Sequence, residues 1–240
     1  MVDDEHGLRV WELIGTAAAA QEAPVSVGDV CVACVDSLEV SGAGLSLVSG
    51  VPGMRLAPVH AVGRLGRDLL EAELTSGDGP CVDAVNDREP VLVADLHTQE
   101  AQAHWPLFTA LTQTARVRAV FAFPLLAGPD SVGVLVLCQD RPRILGEAEQ
   151  QTARHFAEAA LLLLLNLVTV NAAGEALPAQ TLALGPEIHQ ASGVVAVQAD
   201  CSAEEGLIRL RAYALAADEP LTQVARQVLA HTLRFSGQEG

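Results

Sequence analysis

Two pairs of strand-like segments, each joined by a tight turn, restrict the fold of this chain more than any other feature. Gly42 to Ser49 alternates, with Ala43, Leu45 and Leu47 on one parity. Val51-Pro52-Gly53 turns the chain, and Arg55 to Ala61 reads as the returning strand. Val117 to Leu126 and Val132 to Gln139 are apolar runs joined through Ala127-Gly128-Pro129-Asp130. Turns this short join antiparallel neighbours, because a parallel crossover needs a dozen or more residues. With helices set between the strands, the fold class is α+β on an antiparallel sheet, not a doubly wound one.

The helices show in apolar spacing. Glu5 to Ala20 reads as a helix with Val10, Leu13 and Ile14 on one side. In Ser26 to Val40, Ser26 and Asp29 form a capping box ahead of Val27, Val30, Cys31, Cys34, Val35 and Leu38. Val62 to Leu74 is helical by spacing, and Gly77-Asp78-Gly79-Pro80 breaks it. Val91 to Ala94 is a short strand, and Gln99 to Ala115 reads as one helix containing Trp105. From Glu147 to Val170 a long helix carries Ala153, Phe156, Ala160, Leu163, Leu167 and Val170 at heptad positions. A second apolar stripe (Ala157, Leu161, Leu164, Val168) runs beside the first. A helix apolar on two faces must bury both, and a homodimer through this connector helix is the simplest solution. A central core helix without a partner is the alternative.

Aromatic residues make up 3% of a chain that is 50% hydrophobic, so the core is built from Val, Leu and Ala. All basic residues are Arg, and the net charge of −16 disfavours nonspecific attraction to nucleic acid or anionic lipid. From Pro186 onward four Arg face seven Asp and Glu, giving 4 − 7 = −3, so −13 lies upstream. The C-terminal segment is therefore the part least repulsive to RNA. Asp3, Asp4 and Glu5 do not resemble a signal peptide. The apolar stretch from Ala157 to Val170 is too short for a bilayer and is interrupted by Glu158 and Asn166. Five cysteines, an odd number, suit a reducing compartment. These features place the chain in the cytoplasm and away from membranes.

Little in the chain points to catalysis. Cys31-Val32-Ala33-Cys34 puts two thiols on one helix face, as a metal or redox pair would need, but at core positions. Cys81 follows Gly-Pro and is a candidate reactive thiol. The histidines lack HxH or HxxxH spacing, and no phosphate loop or nucleophile elbow is present. No metal site, cofactor or catalytic residue is assigned, and a non-enzymatic protein is expected. Trp105, beside His104, is either a sheet anchor or a pocket residue.

Residues 5 to 170 resemble a GAF domain. The likeness rests on Ser41-Gly42-Ala43-Gly44-Leu45-Ser46-Leu47-Val48, Gly79-Pro80-Cys81-Val82-Asp83-Ala84-Val85 and Pro90-Val91-Leu92-Val93-Ala94-Asp95-Leu96. Trp105-Pro106-Leu107-Phe108 and Ala122-Phe123-Pro124-Leu125, followed by Gly133-Val134-Leu135, complete it. The resemblance implies a six-stranded antiparallel sheet, helices on one side and a small-molecule pocket on the other. Cys81, Trp105 and Phe123 are the pocket candidates. No chromophore-attachment or cyclic-nucleotide motif specifies a ligand.

The C-terminal segment is similar to the ANTAR module, a three-helix RNA-binding unit. Its carrying residues are Ile188-His189-Gln190-Ala191-Ser192-Gly193-Val194-Val195, Cys201-Ser202-Ala203-Glu204-Glu205, Arg209-Leu210-Arg211-Ala212-Tyr213-Ala214 and Leu221-Thr222-Gln223-Val224-Ala225-Arg226. Gly193 to Val197 favours strand by propensity, and only the resemblance implies helix there. Ser202 and Glu205 form a capping box for the second helix. On that helix Arg209 and Tyr213, one turn apart and flanked by Arg211, suit unpaired bases: guanidinium groups contact phosphates and base edges, and the ring offers a stacking surface. Glu205, one turn before Arg209, offers it a plain ion pair instead. The resemblance implies RNA contacts from Gln190, Ala191, Ser192, Gly193, Arg209, Arg211 and Tyr213. Ser192 stands where the family often has Lys, and Gly206 where it typically has Ala, a change expected to weaken the helix by about 1 kcal/mol.

The layout is then a GAF-like sensor over 5–146, a connector helix over 147–172, a linker over 173–185 and an ANTAR-like unit over 186–236. The pair of modules resembles actinobacterial transcription antitermination regulators. In that mechanism a dimer grips the loops of two adjacent RNA stem-loops and so excludes an overlapping terminator hairpin, under control of the sensor. A ligand-responsive DNA-binding regulator is the alternative, since three short helices also build a helix-turn-helix. A thiol-based GAF-fold enzyme working through Cys81 is the third reading.

Overall fold

A computed structural model describes residues 2–50, 55–172 and 186–235. Helices α1 (Val2–Ala20) and α2 (Val27–Leu38) precede the hairpin of β1 (Gly42–Val48) and β2 (Leu56–Val62). Helices α3 (Gly63–Ser76) and α4 (Pro80–Asp87), strand β3 (Val91–Val93) and helices α5 (Gln99–His104) and α6 (Pro106–Ala115) follow. The hairpin of β4 (Ala119–Ala127) and β5 (Asp130–Gln139) leads into α7 (Glu147–Ala172). Three helices close the chain: α8 (Pro186–Ala199), α9 (Ala203–Ala217) and α10 (Leu221–Leu229).

The sheet order is β2-β1-β5-β4-β3, every neighbouring pair antiparallel. Among the described residues it has five strands, one fewer than the resemblance implied. Alternation along β4 and β5 divides the core. Phe121, Phe123, Leu125, Leu135 and Leu137 point to the layer of α1, α2 and α7, while Val120, Ala122, Val134, Val136 and Cys138 point to the layer of α3 to α6. Both faces are covered, so these strands read as continuous apolar runs instead of alternating with polar residues.

Local chemistry explains most boundaries. The Asp29 carboxylate accepts from both the backbone N–H and the hydroxyl of Ser26, as the capping box predicts. Residues 99–115 form two helices, not the single one expected. Trp105 leaves the helical region (φ −126°, ψ 68°) because the ring of Pro106 clashes with a helical predecessor. Helix α4 escapes the sequence reading altogether. Its signal is Pro80 at the first helical position after Gly79, which combines a helix start with the break ending α3.

The first C-terminal helix overrides its β-branched propensity. Ile188, Ala191 and Val195 fall on one face and enter a core with Leu207, Leu210, Leu221, Val224 and Val228. On α7, Ala153, Phe156, Ala157, Ala160 and Leu164 are buried against the sheet layer, and Leu162 and Leu165 are exposed. Leu167, Val168 and Val170 of the expected stripes, and the linker 173–185, lie outside what is described of side chains and chain respectively. Among the described residues no helix is long and apolar enough to cross a membrane.

Candidate functional site: the C-terminal helices and the layer of α3 to α6

Helices α8 and α9 cross at backbone contact. A Cβ on Gly206 would stand 2.5 Å from the carbonyl oxygen of Ser192, so glycine is what allows the approach. Ser192 is buried at this crossing, its hydroxyl donating to the His189 carbonyl at 2.8 Å, and Ala191 lies in the core. Gln190 is exposed and Gly193 half-buried, with nothing within 4 Å of a Cβ built on Gly193. Of the four candidates on α8, the chain therefore turns two inward and offers Gln190 and Gly193 to solvent.

The three candidates on α9 differ in their engagements. Arg209 forms the ion pair with Glu205 foreseen one turn away, at 3.0 Å. That pair is half exposed and contributes little to stability, about 0.3–0.5 kcal/mol for such spacing, so it yields readily to a phosphate. Tyr213 stands at the surface, its ring edge-on to Phe235 at 5.7 Å. Phe235 is held in turn by its backbone N–H donating to Gln198 on α8. Ser202 caps α9 by accepting from the Glu205 N–H. Arg211 points elsewhere: its Nε donates to the Leu74 carbonyl of α3 at 2.9 Å. Burial there lowers its pKa from the free value, although a guanidinium remains charged.

Sequence reasoning missed the partner of this surface, which is α3. Leu74 inserts into the core of α8 to α10. The Glu71 carboxylate accepts from the backbone N–H of Thr222 at 3.0 Å and from its hydroxyl at 3.1 Å, capping the start of α10 from another element. Burial raises the Glu71 pKa, and the Thr222 hydrogen bonds oppose that rise. A cleft of ≈ 370 Å³ remains between α3, α6 and the turn before α10, lined among others by Arg64, Glu71, Leu107, Leu111 and Asp218.

The three pocket candidates do not converge. Cys81 and Trp105 are buried in the layer of α3 to α6, but Phe123 lies across the sheet beneath α7. Strand alternation decides this, since Phe123 has the parity of Phe121 and Leu125. Trp105 anchors helices: its indole N–H donates to Asp83 of α4 at 3.0 Å, and His104 meets the same oxygen at 2.8 Å. Cys81, at the start of α4, donates its backbone N–H to Glu73 at 2.8 Å. Burial pushes the Cys81 thiol well up, with the neighbouring Glu73 adding to the effect, so it is held as the thiol, not the nucleophilic thiolate. Cys31 and Cys34 are fully buried, and desolvation lifts the Cys31 thiol to about 12. No group of His, Cys, Asp or Glu among the described residues is arranged to hold a metal.

Glu73 is a buried carboxylate in this layer. Its second carboxylate oxygen is buried without a hydrogen-bond partner, and it borders a cavity of ≈ 10 Å³ shared with Ser46, Arg55 and Arg211. Desolvation first, with Asp78 and Asp83 adding to it, raises its pKa to about 7 against the hydrogen bonds from Cys81.

Comparison with known proteins bears on the N-terminal two thirds. The family model described as GAF domain matches residues 8–164. No curated protein matches the chain. Among solved structures, the chain is similar to a domain described as part of a two-component sensor histidine kinase of Sinorhizobium meliloti 1021, at 19% identity and a TM-score of 0.50 over 61% of this chain and 93% of that one. It is also similar to the GAF domain of an Acinetobacter phosphoenolpyruvate-protein phosphotransferase, at 11% identity and a TM-score of 0.48 over 72% and 98%. The GAF-B domain of DevS from Mycobacterium smegmatis matches at 15% identity and a TM-score of 0.44 over 60% and 94%.

Proposed function

Because the chain belongs to the GAF family, whose domains serve as sensor or ligand-binding units in regulators and kinases, we propose that it is a sensor-controlled RNA-binding regulator of transcription antitermination. In this reading α8 to α10 are an ANTAR unit that reads the loops of paired RNA stem-loops. The protein acts in the cytoplasm without catalysis of its own, and any small-molecule signal enters through the GAF layer.

The observation that carries the reading is the order of residues Ile188–Val195, Cys201–Glu205, Arg209–Ala214 and Leu221–Arg226 on three short helices around one core. Gln190, Gly193, Arg209 and Tyr213 supply an amide, an open backbone, a guanidinium and a ring at its surface. This is chemistry for splayed bases. A net-acidic protein suits selective loop recognition better than a broad electrostatic grip.

Sequencing of transcripts that co-purify with the protein should enrich tandem stem-loops near terminators. The double variant Arg209→Ala, Tyr213→Ala should lose such RNA by about 100-fold, as each contact is worth roughly 1–3 kcal/mol. Binding undiminished in a variant folded like the parent, or RNA outcompeted by duplex DNA, would refute the reading.

Pairing of hairpins needs two copies of the unit. The dimer in this reading forms through α7, where Leu162 and Leu165 stay exposed at 52% and 42%. Leu8 and Trp11 of α1, which packs against α7, add exposed apolar surface.

A further inference from the structure

Arg211 stands on the helix that carries Arg209 and Tyr213, yet its side chain is engaged by the sensor. Its Nε donates to the Leu74 carbonyl, and its Nη1 lies 2.8 Å from where a Cβ on Gly77 would stand. Gly77, at φ +72°, thus ends α3 and at the same time leaves room for the guanidinium. Six residues earlier on α3 Glu71 caps α10 through Thr222, and between these anchors Leu74 packs into the apolar core of α8 to α10. A single helix end therefore holds both α9 and α10. The same helix end also holds α4, through Glu73 and the Cys81 N–H. Helix α3 is thus the element that touches α4 on one side and the C-terminal helices on the other.

We propose that docking of the C-terminal helices on α3 is a self-inhibiting contact, in which the sensor withdraws Arg211 from RNA and returns it when these helices lift away. The proposal rests on the RNA-binding reading and names its regulation. Docking engages a guanidinium of α9 while that helix keeps its full length from Ala203 to Ala217. The apparent affinity of the chain for RNA is then the intrinsic affinity scaled by the undocked fraction.

The test uses the full chain and an RNA pool of two adjacent stem-loops with randomised loop bases. Glu71→Arg sets a cation against the Thr222 N–H and near Arg226, and touches no residue of the RNA-binding surface. Hydrogen exchange at the Gly77 amide, which sits under the Arg211 guanidinium and whose bond to the Glu73 carbonyl neither variant removes, reports undocking, and Leu74→Asn provides a second route to it. The expected result is faster exchange together with stem-loop binding about 10-fold tighter or more, as release from a contact closed nine times in ten requires. Faster exchange with unchanged binding would overturn self-inhibition and leave the RNA reading intact. Unchanged exchange in both variants would overturn the contact as a latch. If neither parent nor variants prefer stem-loops over unstructured RNA of equal composition, the RNA reading falls, and its regulation with it. If Glu71→Arg fails to fold, Thr222→Val, which removes the hydroxyl arm alone, should still loosen exchange and tighten binding in smaller measure. The absence of both effects would count against the latch.

Discussion

Gly193 and Gly206 look alike in the sequence and act oppositely in the structure. A methyl group at 193 meets nothing within 4 Å, whereas one at 206 strikes the Ser192 carbonyl at 2.5 Å. Gly193→Ala should stabilise the protein by about 0.5–1 kcal/mol, the usual helical gain, while weakening RNA binding if the open backbone admits a loop. Gly206→Ala should destabilise by about 1–3 kcal/mol through forced separation of α8 and α9. Thermal melts of the two variants check both signs. By propensity alone Gly206 reads as a loss to its helix, because the gain is a contact made by another helix. Glu73 is a second such residue. Its pKa of about 7 against 4.5 in the free state means that the folded protein keeps a proton the unfolded chain gives up. Stability is then lost as pH climbs from 4.5 through 7 and levels off above, on the order of 3 kcal/mol in all. Glu73→Gln, which keeps an oxygen for the Cys81 N–H, should remove that decline. A melt series across this range that leaves parent and variant parallel would refute the assignment.

At the scale of elements, periodicity located almost every helix and strand but not their edges. The capping box at Ser26, the two hairpins and the end of α3 at Gly77 were legible because each is a local steric or hydrogen-bonding preference. Apolar spacing alone carries Trp105 as helix, although Pro106 marks the break. Helix α8 was the reverse case, with apolar spacing outweighing β-branched propensity once partners were available to bury it. Helix α7 carries its own expectation. Leu162→Glu with Leu165→Glu places charge on the exposed side, leaving Phe156 and Ala160 in the core. The variant should stay folded and run as a monomer by light scattering, where the parent runs as a dimer. A parent that is monomeric at every concentration would remove α7 as the pairing element.

For the whole molecule, the arrangement of the C-terminal helices on α3 matters most, and no local sequence signal marks it. Nothing in Glu71, Leu74 or Gly77 marks them as partners of Thr222 and Arg211, more than a hundred residues away in the chain. The seven residues named for RNA contact were likewise sorted only by packing, which buried Ala191 and Ser192 and turned Arg211 toward α3. The three pocket candidates were separated by the sheet, Phe123 falling on one face and Cys81 with Trp105 on the other. From the sequence alone came what depends on neighbours along the chain: the antiparallel pairing, the capped helix starts at Ser26 and Ser202, the apolar faces and the family resemblance over residues 5–170. Tertiary structure alone decided which polar groups face solvent, which face one another, and which arginine is bonded to α3. Those outcomes depend on distances between remote segments, and such distances exist only after the apolar layers have closed.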